Sequence, residues 1–520
     1  MIIRTLITLL LSVYAGFLTM RHNMHMFQLN GYKVNEQLAW IKRNFRQQWL
    51  LLFGLCLGVI RSFFPFIFFD IMVYITLWLD IVVYRVFRRI NIKKKLVYTP
   101  RVKRMIGTII IISLFVLFLS YKLHGINSLS GVCLIIVSGQ LIINIFANLF
   151  NQPIEKAINQ YYINDAKRIL KESKNLKVIG ITGSYGKTSV KYYLQTLLEN
   201  KYDVLVTPGN YNTTLGVTRT IREQLRPNHE IFICEMGARY VGDIKEICDL
   251  VHPDYGIITS IGPQHLDTFL NIENIQKTKF ELADAVPEGG IIFLNGDNEY
   301  ILNMATHYSS VIEYSCESPN GDYRVSDLKV SNKGTSFKVI APDNEVEEFN
   351  MKLIGVHNVI NVVGAIAVAN TLGIKLKDLI IPVRRLLPVE HRMQIRSHKD
   401  VTIIDDAYNS NPVGSKAAVN TLALFDGVKI LITPGMVELG EKEADFNYAF
   451  GRYAADCCDY ILLVGKDHII PIKEGVLSKD FPSDRCVTFI NLQEALSYAY
   501  AIKENGHKYI LLENDLPDNY

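Results

Sequence analysis

Between Val178 and Ser189 the chain reads VIGITGSYGKTS, and here its residue types could do chemistry. An apolar run breaks into Gly183 and Gly186, then Lys187, Thr188 and Ser189, and then VKYYLQTLLEN, which reads as a helix. Strand, glycine loop and helix start is the arrangement that holds a polyphosphate. Glycines let backbone N–H groups turn inward, and the helix N-terminus adds partial positive charge. In such a loop Ser184 and Ser189 line the cradle, Lys187 reaches the β- and γ-phosphates, and the Thr188 hydroxyl ligates Mg²⁺. The spacing departs slightly from the generic loop, because position 181 is Ile and the first glycine is Gly180. The stretch predicts a bound nucleoside triphosphate.

Two more strand ends carry reactive types. EIFICEMGA (230–238) places Glu235 where a carboxylate can hold Mg²⁺ beside the phosphates, and SIGPQHLD (260–267) brings His265 to the same carboxyl edge. Alone, each would be ordinary; Lys277, Lys279 and Glu281 in IQKTKFEL sharpen the pattern. No Ser/His/Asp or Cys/His nucleophile is evident. The eight cysteines form no CxxC pair, and Cys457 and Cys458 are adjacent. That usage fits a reducing setting and argues against structural zinc. A net charge of +4 over 520 residues gives no argument for nucleic acid.

The elements that must position these residues alternate. VIGIT, DVLVT, EIFICE, YGIITSI and GGIIFLN are short β-rich runs between helical stretches, as in a parallel doubly wound sheet. Residues 310–353 read as a β-insertion or edge sheet. A second series, VTIIDD, VKILITP, YILLVG, CVTFIN and YILLEN, predicts a smaller Rossmann-like unit. The expected division is a helical membrane domain over 1–150, a linker helix over 151–176, an α/β P-loop domain over 177–396 and a Rossmann-like domain over 397–520.

The first 150 residues are crowded with Leu, Ile, Phe and Val. Apolar runs at 2–20, 49–87 (broken near Arg61, Ser62 and Pro65), 105–121 and 128–150 predict about five spans, with a re-entrant hairpin at 49–87 as the alternative. A cleaved signal peptide is disfavoured, since MRHNMHMF offers no small-residue cleavage site. One loop carries Arg21, Lys33, Lys42, Arg43 and Arg46. The next carries Arg85, Arg88, Arg89, Lys93, Lys94, Lys95, Arg101, Lys103 and Arg104. The positive-inside rule places both loops in the cytoplasm, the N-terminus outside, and the chain after Phe150 on the side where ATP is. A multi-pass plasma-membrane protein touching anionic lipid is expected. Asp70 and Asp80 are functional candidates because of their depth.

From about Lys177 onward the chain resembles the Mur ligase family, most closely its MurF type. The stretches that carry the resemblance are GITGSYGKTS, TPGNYNTTLGV, EMGARYVGDI, IGPQHLDTF, KTKFE, LNGDN, GVHNVINVVGAIAVA and IDDAYNSNP. The resemblance implies an ATP-dependent carboxylate–amine ligase of cell-wall (peptidoglycan) synthesis that releases ADP and phosphate. It implies Thr188 and Glu235 as ligands of a first Mg²⁺, and His265 as ligand of a second. Lys279 falls where many relatives carry a carbamylated lysine, with Lys277 the neighbouring alternative. Asn358 and Asn361 match adenine contacts, Arg392 an arginine near the γ-phosphate, Asp406 a carboxylate near the ribose, and Asn212 a residue facing acceptor and metal.

Two departures stand out. A membrane domain replaces the family's uridine-nucleotide-binding domain, which opens the possibility of a lipid-linked or polymeric acceptor. The tail ILLENDLPDNY lacks the expected GSR-type segment, although MVELGEKE is retained, so D-alanyl-D-alanine as the amine is an expectation from resemblance only. Other readings are a poly-γ-glutamate-type or other envelope-polymer ligase and, in another class, a nucleotide-gated membrane protein or transporter ATPase. The last would leave Glu235, His265 and Asp406 idle.

Overall fold

The computed structural model describes residues 2–64, 66–85, 95–408, 410–466 and 468–515. Pro65, Arg88, Arg89, Lys93, Lys94 and residues 516–520 of the tail lie outside the described residues, as do the side chains of Arg43 and Arg46. The chain divides into two compact units, Met1–Gln160 and Tyr161–Leu516.

The first unit is helical. Arg4–Leu29, Ile67–Arg85 and Pro100–His124 are long and apolar enough to cross a membrane. A fourth span results only if Ile126–Ser138 and Gln140–Glu172, bent by 71°, count as one. The expected five is therefore corrected among the described residues. Trp49–Phe63 has 15 residues, about 22 Å at 1.5 Å per residue, short of a ~30 Å hydrocarbon core. The last apolar run breaks at Gly139, and its second helix continues without interruption through the expected linker to Glu172. The short helix packs through glycine: a Cβ on Gly131 would stand 2.5 Å from the Gly58 carbonyl, so the two backbones touch. Phe63, Phe68, Trp78, Ile111 and Phe115 point outward. Asp70 and Asp80 are both buried. Asp70 pairs with Arg61 at 2.6 Å and accepts from the Ser130 hydroxyl at 2.9 Å, which compensates two buried charges in apolar surroundings.

The second unit holds two sheets. Strands β1 (Lys177–Thr182), β2 (Val204–Val206), β3 (Ile231–Glu235), β4 (Tyr255–Ile258), β5 (Ile291–Asn295) and β6 (Val311–Ser315) pair in parallel in the order β2-β3-β1-β4-β5-β6. Their near-continuous burial is what a parallel sheet covered on both faces requires. β7 (Tyr323–Ser331) joins β6 in parallel, and β8 (Gly334–Ile340) and β9 (Val346–Met351) add antiparallel pairings at the edge of the same sheet, so the edge sheet expected over 310–353 is 323–351, with β6 in the parallel part. Helix Val356–Thr371 is buried against the sheet because its residues are small and apolar on nearly every side.

The second sheet comprises β10 (Gln394–His398), β11 (Val401–Asp406), β12 (Val428–Thr433), β13 (Tyr460–Val464), β14 (Cys486–Phe489) and β15 (Lys508–Glu513), in the order β10-β11-β15-β12-β13-β14. All pairings are parallel except β10 with β11. A boundary at 396 would cut through β10. All eight cysteines are free; Cys56 on Trp49–Phe63 is exposed, while Cys133, Cys234, Cys248, Cys458 and Cys486 are buried.

Candidate active site

The carboxyl ends of β1, β3 and β4 meet at the place where strand order reverses, the position at which open α/β sheets bind ligands. The glycine loop after β1 ends at Gly186, with φ +84°, which is the N-cap of helix Lys187–Leu198 and supplies no side-chain cap. The first-turn N–H groups therefore face the loop, ready for an anion. A Cβ on Gly186 would meet the Asn361 Oδ1 at 2.6 Å, so the loop and that carboxamide are in close approach. The loop is pinned to the segment after β4: the Ser184 N–H donates to the Ser260 carbonyl at 2.7 Å, and the Ser184 hydroxyl to the Gly262 carbonyl at 3.0 Å. The Lys187 ammonium folds back onto the Gly183 and Ser184 carbonyls at 2.5 and 3.2 Å. Burial lowers its pKa to about 8, against the pull of Glu235.

Glu235, at the end of β3, is the centre of a compact cluster. Its Oε1 accepts from the Thr188 hydroxyl at 3.1 Å and from the Asn212 amide at 3.0 Å, and its Oε2 lies 3.0 Å from the Lys191 ammonium. Burial pushes this carboxyl up, but Lys191, Lys187 and the Asn212 amide together outweigh it and hold the pKa below the usual carboxylate value. Thr188, Glu235 and Asn212 are thus brought together. The hydroxyl and carboxylate oxygens are hard donors of the kind Mg²⁺ takes, so the residues present fit the ion.

Lys279 is buried and Lys277 exposed, and the Lys279 ammonium faces the Phe269 ring at 5.9 Å. Burial drives its pKa well below 10.5, with Lys187 acting in the same direction. His265, with φ +51°, is engaged at Nδ1 by the Glu438 carboxylate from the loop after β12. Burial lowers its pKa, partly offset by Glu438. Glu281 instead accepts the Gly242 and Lys245 N–H groups and so caps helix Asp243–Val251.

Asn358 is occupied by protein partners: its Oδ1 accepts from the Tyr193 hydroxyl at 2.9 Å, and its amide donates to the Ile354 carbonyl. The Arg392 guanidinium lies 4.8 Å from the Tyr408 ring centroid, and the Tyr408 hydroxyl accepts from the Asn210 amide. Burial raises the Asp406 pKa to about 6, with Arg392 pulling it back; the Met393 N–H donates to it at 3.1 Å. Lys191, Arg239 and Glu438 were not singled out from sequence. Lys191 carried a signal, since it lies one turn beyond Lys187 on the same helix face.

Residues 181–369 match the Mur ligase middle domain, and 391–512 the Mur ligase glutamate ligase domain. The UDP-N-acetylmuramoyl-tripeptide–D-alanyl-D-alanine ligase of Bacillus subtilis (strain 168) is 32% identical over 353 residues, 66% of this chain and 73% of that protein. The chain belongs to the Mur ligase family. It is therefore an ATP-dependent ligase that forms an amide bond. The ligase of the same name from Escherichia coli (strain K12) is 28% identical over 71% of this chain and 83% of its own length. Among solved structures, the MurF ligase from Thermotoga maritima in complex with ADP superposes with a TM-score of 0.62 at 25% identity, covering 69% of this chain and 80% of that one. MurF from Acinetobacter baumannii shares the fold, with a TM-score of 0.63 and the same 69% of this chain covered.

Proposed function

We propose that the chain is a MurF-type ligase carried on a multi-pass helical membrane anchor and working in cell-envelope assembly. The observation that supports this most is the cluster of Thr188, Asn212, Lys191 and Glu235 beside the Lys187 loop, in a chain 32% identical to a ligase of that type. By the names of its relatives, the carboxylate partner is UDP-N-acetylmuramoyl-tripeptide and the amine is D-alanyl-D-alanine. Residues 1–160, ahead of the matched family domains, carry the apolar helices, and on that observation a lipid-linked or polymeric carboxylate presented at a bilayer is the second reading. Trp49–Phe63 and Ile67–Arg85 then enter and leave the bilayer as one hairpin, which keeps both basic loops in the cytoplasm; with Ile126–Ser138 and the apolar start of Gln140–Glu172 returning the chain as one broken span, the ligase unit works there, at the plasma membrane. The working domain division is 1–150, 151–176, then the ATP-binding and Rossmann-like parts, with their mutual boundary moved ahead of β10.

A carboxylate does not react with an amine at neutral pH. Its oxygen first takes the γ-phosphoryl of ATP, releasing ADP and leaving an acyl phosphate. The amine then attacks the carbonyl carbon, the C–O bond to phosphate breaks, and the amine proton is lost. Lys187 and Arg392 offset the charge that gathers during transfer. Asn361 and Asn358 border the adenine, Asp406 takes the ribose, and Asn212 faces the acceptor. Thr188 and Glu235 would hold one Mg²⁺, and His265 with a carbamylated Lys279 would hold a second; such ions would neutralise triphosphate charge. The neutral amine that burial favours at Lys279 is the form that adds CO₂, giving up a proton as the carbamate forms. Placement of three substrates, more than covalent work by side chains, is the chain's contribution.

The test is purified full-length chain in detergent with ATP, Mg²⁺, UDP-N-acetylmuramoyl-tripeptide and D-alanyl-D-alanine, followed by phosphate release and mass spectrometry of product. Amide product requiring both substrates is expected. If only an envelope-polymer or lipid extract supplies the carboxylate, the nucleotide-sugar assignment falls. ATP hydrolysis with no amide product in any combination sinks the ligase reading.

A further inference from the structure

We infer that Glu438 is a positioning residue that fixes the tautomer and direction of His265, and does so from the second sheet. The inference rests on the reading of His265 as a metal-facing residue. The Glu438 carboxylate engages His265 at Nδ1. A carboxylate only accepts, so the ring proton is held at Nδ1 and Nε2 carries the lone pair. Metal-ligating histidines typically have their second ring nitrogen held in this way by a carboxylate, which orients the ring and raises its basicity.

The attachment is not a single contact. The Glu438 carbonyl accepts the N–H of Leu266 at 2.8 Å, so one residue grips both the His265 ring and the peptide that follows it. The same carboxylate takes the Arg239 guanidinium at 3.1 Å, from the loop after β3. Two residues on, Gly440 lies against Leu266 and Asp267. Glu438 itself has φ +63°, a left-handed conformation that a non-glycine residue keeps only where its surroundings hold it. Its loop leaves the carboxyl end of β12, whereas His265 follows β4 of the other sheet. The direction of the His265 ring, on the first sheet, is thus set from the second sheet. Seating of that loop and readiness of His265 are one event.

The test uses full-length chain in detergent and Mn²⁺ alone, with free Mn²⁺ read by electron paramagnetic resonance. Relative to wild type, Glu438→Ala is expected to bind Mn²⁺ about tenfold more weakly, in the range seen when such outer partners are removed. Glu438→Gln, whose amide oxygen still accepts from Nδ1, recovers part of that loss. Arg239→Met keeps wild-type Mn²⁺ affinity although it removes an equally direct bridge between the sheets. His265→Ala is the reference. If it weakens Mn²⁺ binding while folded Glu438→Ala and Glu438→Gln do not, the positioning role is overturned and the metal reading stands. If His265→Ala binds Mn²⁺ like wild type, the metal reading fails and takes this inference with it. Equal losses in Arg239→Met and Glu438→Ala mark a bridge that is merely structural, and overturn it as well.

Discussion

Lys191→Met tests how the Glu235 cluster is held. Lys191 has no exposed side-chain surface, stands 3.0 Å from Glu235 Oε2 and donates to the Gly209 carbonyl at 2.7 Å. Methionine fills similar volume without charge, so the substitution leaves a buried carboxylate facing an apolar chain. Removing one partner of a buried pair costs about 3–5 kcal/mol, because the survivor keeps its desolvation penalty without its compensation. At about 2.1 cal/mol/K of unfolding entropy per residue, a unit of this size shifts by roughly 1–2 °C per kcal/mol, so Tm should fall by about 5 °C. Thermal unfolding followed by circular dichroism measures it. The same reasoning requires that Lys191→Met combined with Glu235→Gln be markedly more stable than the single variant, since both charges are then gone. A single variant with wild-type Tm, or a double variant that loses stability as the sum of the two, refutes the account.

Three other outcomes follow from the geometry. Gly186→Ala places a Cβ 2.6 Å from Asn361 Oδ1 at φ +84°, which costs about 1–2 kcal/mol; ATP affinity by calorimetry should drop roughly tenfold, and an unchanged Kd would count against the loop as the binding site. Lys187→Ala should lower product formation about 10²–10³-fold in the amide assay, the loss typical of one preorganised charge stabiliser. Glu513 is buried among the Ser410, Ser415 and Thr433 hydroxyls, and burial raises its pKa from 4.5 to about 7. The native state therefore holds this proton more tightly than the unfolded chain. Its contribution is neutral below pH 4.5, and stability falls as pH rises through the window to about 7, by about 3 kcal/mol in total. Glu513→Gln should flatten that slope in unfolding midpoints taken between pH 5 and 8; an unaltered slope would exclude Glu513 as its source.

What sequence made legible was what is local. The glycine loop, the strand ends carrying Glu235 and Asp406, and the burial of β1–β6 all follow from patterns a few residues long. Residue pairs far apart in the chain were not legible. His265 and Glu438 are 173 positions apart, and neither MVELGEKE nor the segment around His265 says that the two sheets' loops meet. The four-residue spacing puts Lys191 on the helix face of Lys187, but nothing local says that Glu235 will stand beside it. In the helical unit, hydropathy saw apolar runs but not the break at Gly139 or the shortness of Trp49–Phe63, since neither alters mean hydropathy. Burial alone separates Lys279 from Lys277, which sequence left as alternatives.

The distribution of thiols has a practical consequence. Cys56 is the only one of the eight cysteines that is exposed, and it lies on the short apolar helix Trp49–Phe63; burial pushes the Cys234 and Cys458 thiols up and away from the thiolate that alkylation needs. The native polypeptide thus carries a built-in reporter at the one surface whose solvent is in question. Quenching of Cys56 modification on reconstitution into vesicles, with a reagent that stays in the aqueous phase, would say whether oil or water bathes that helix.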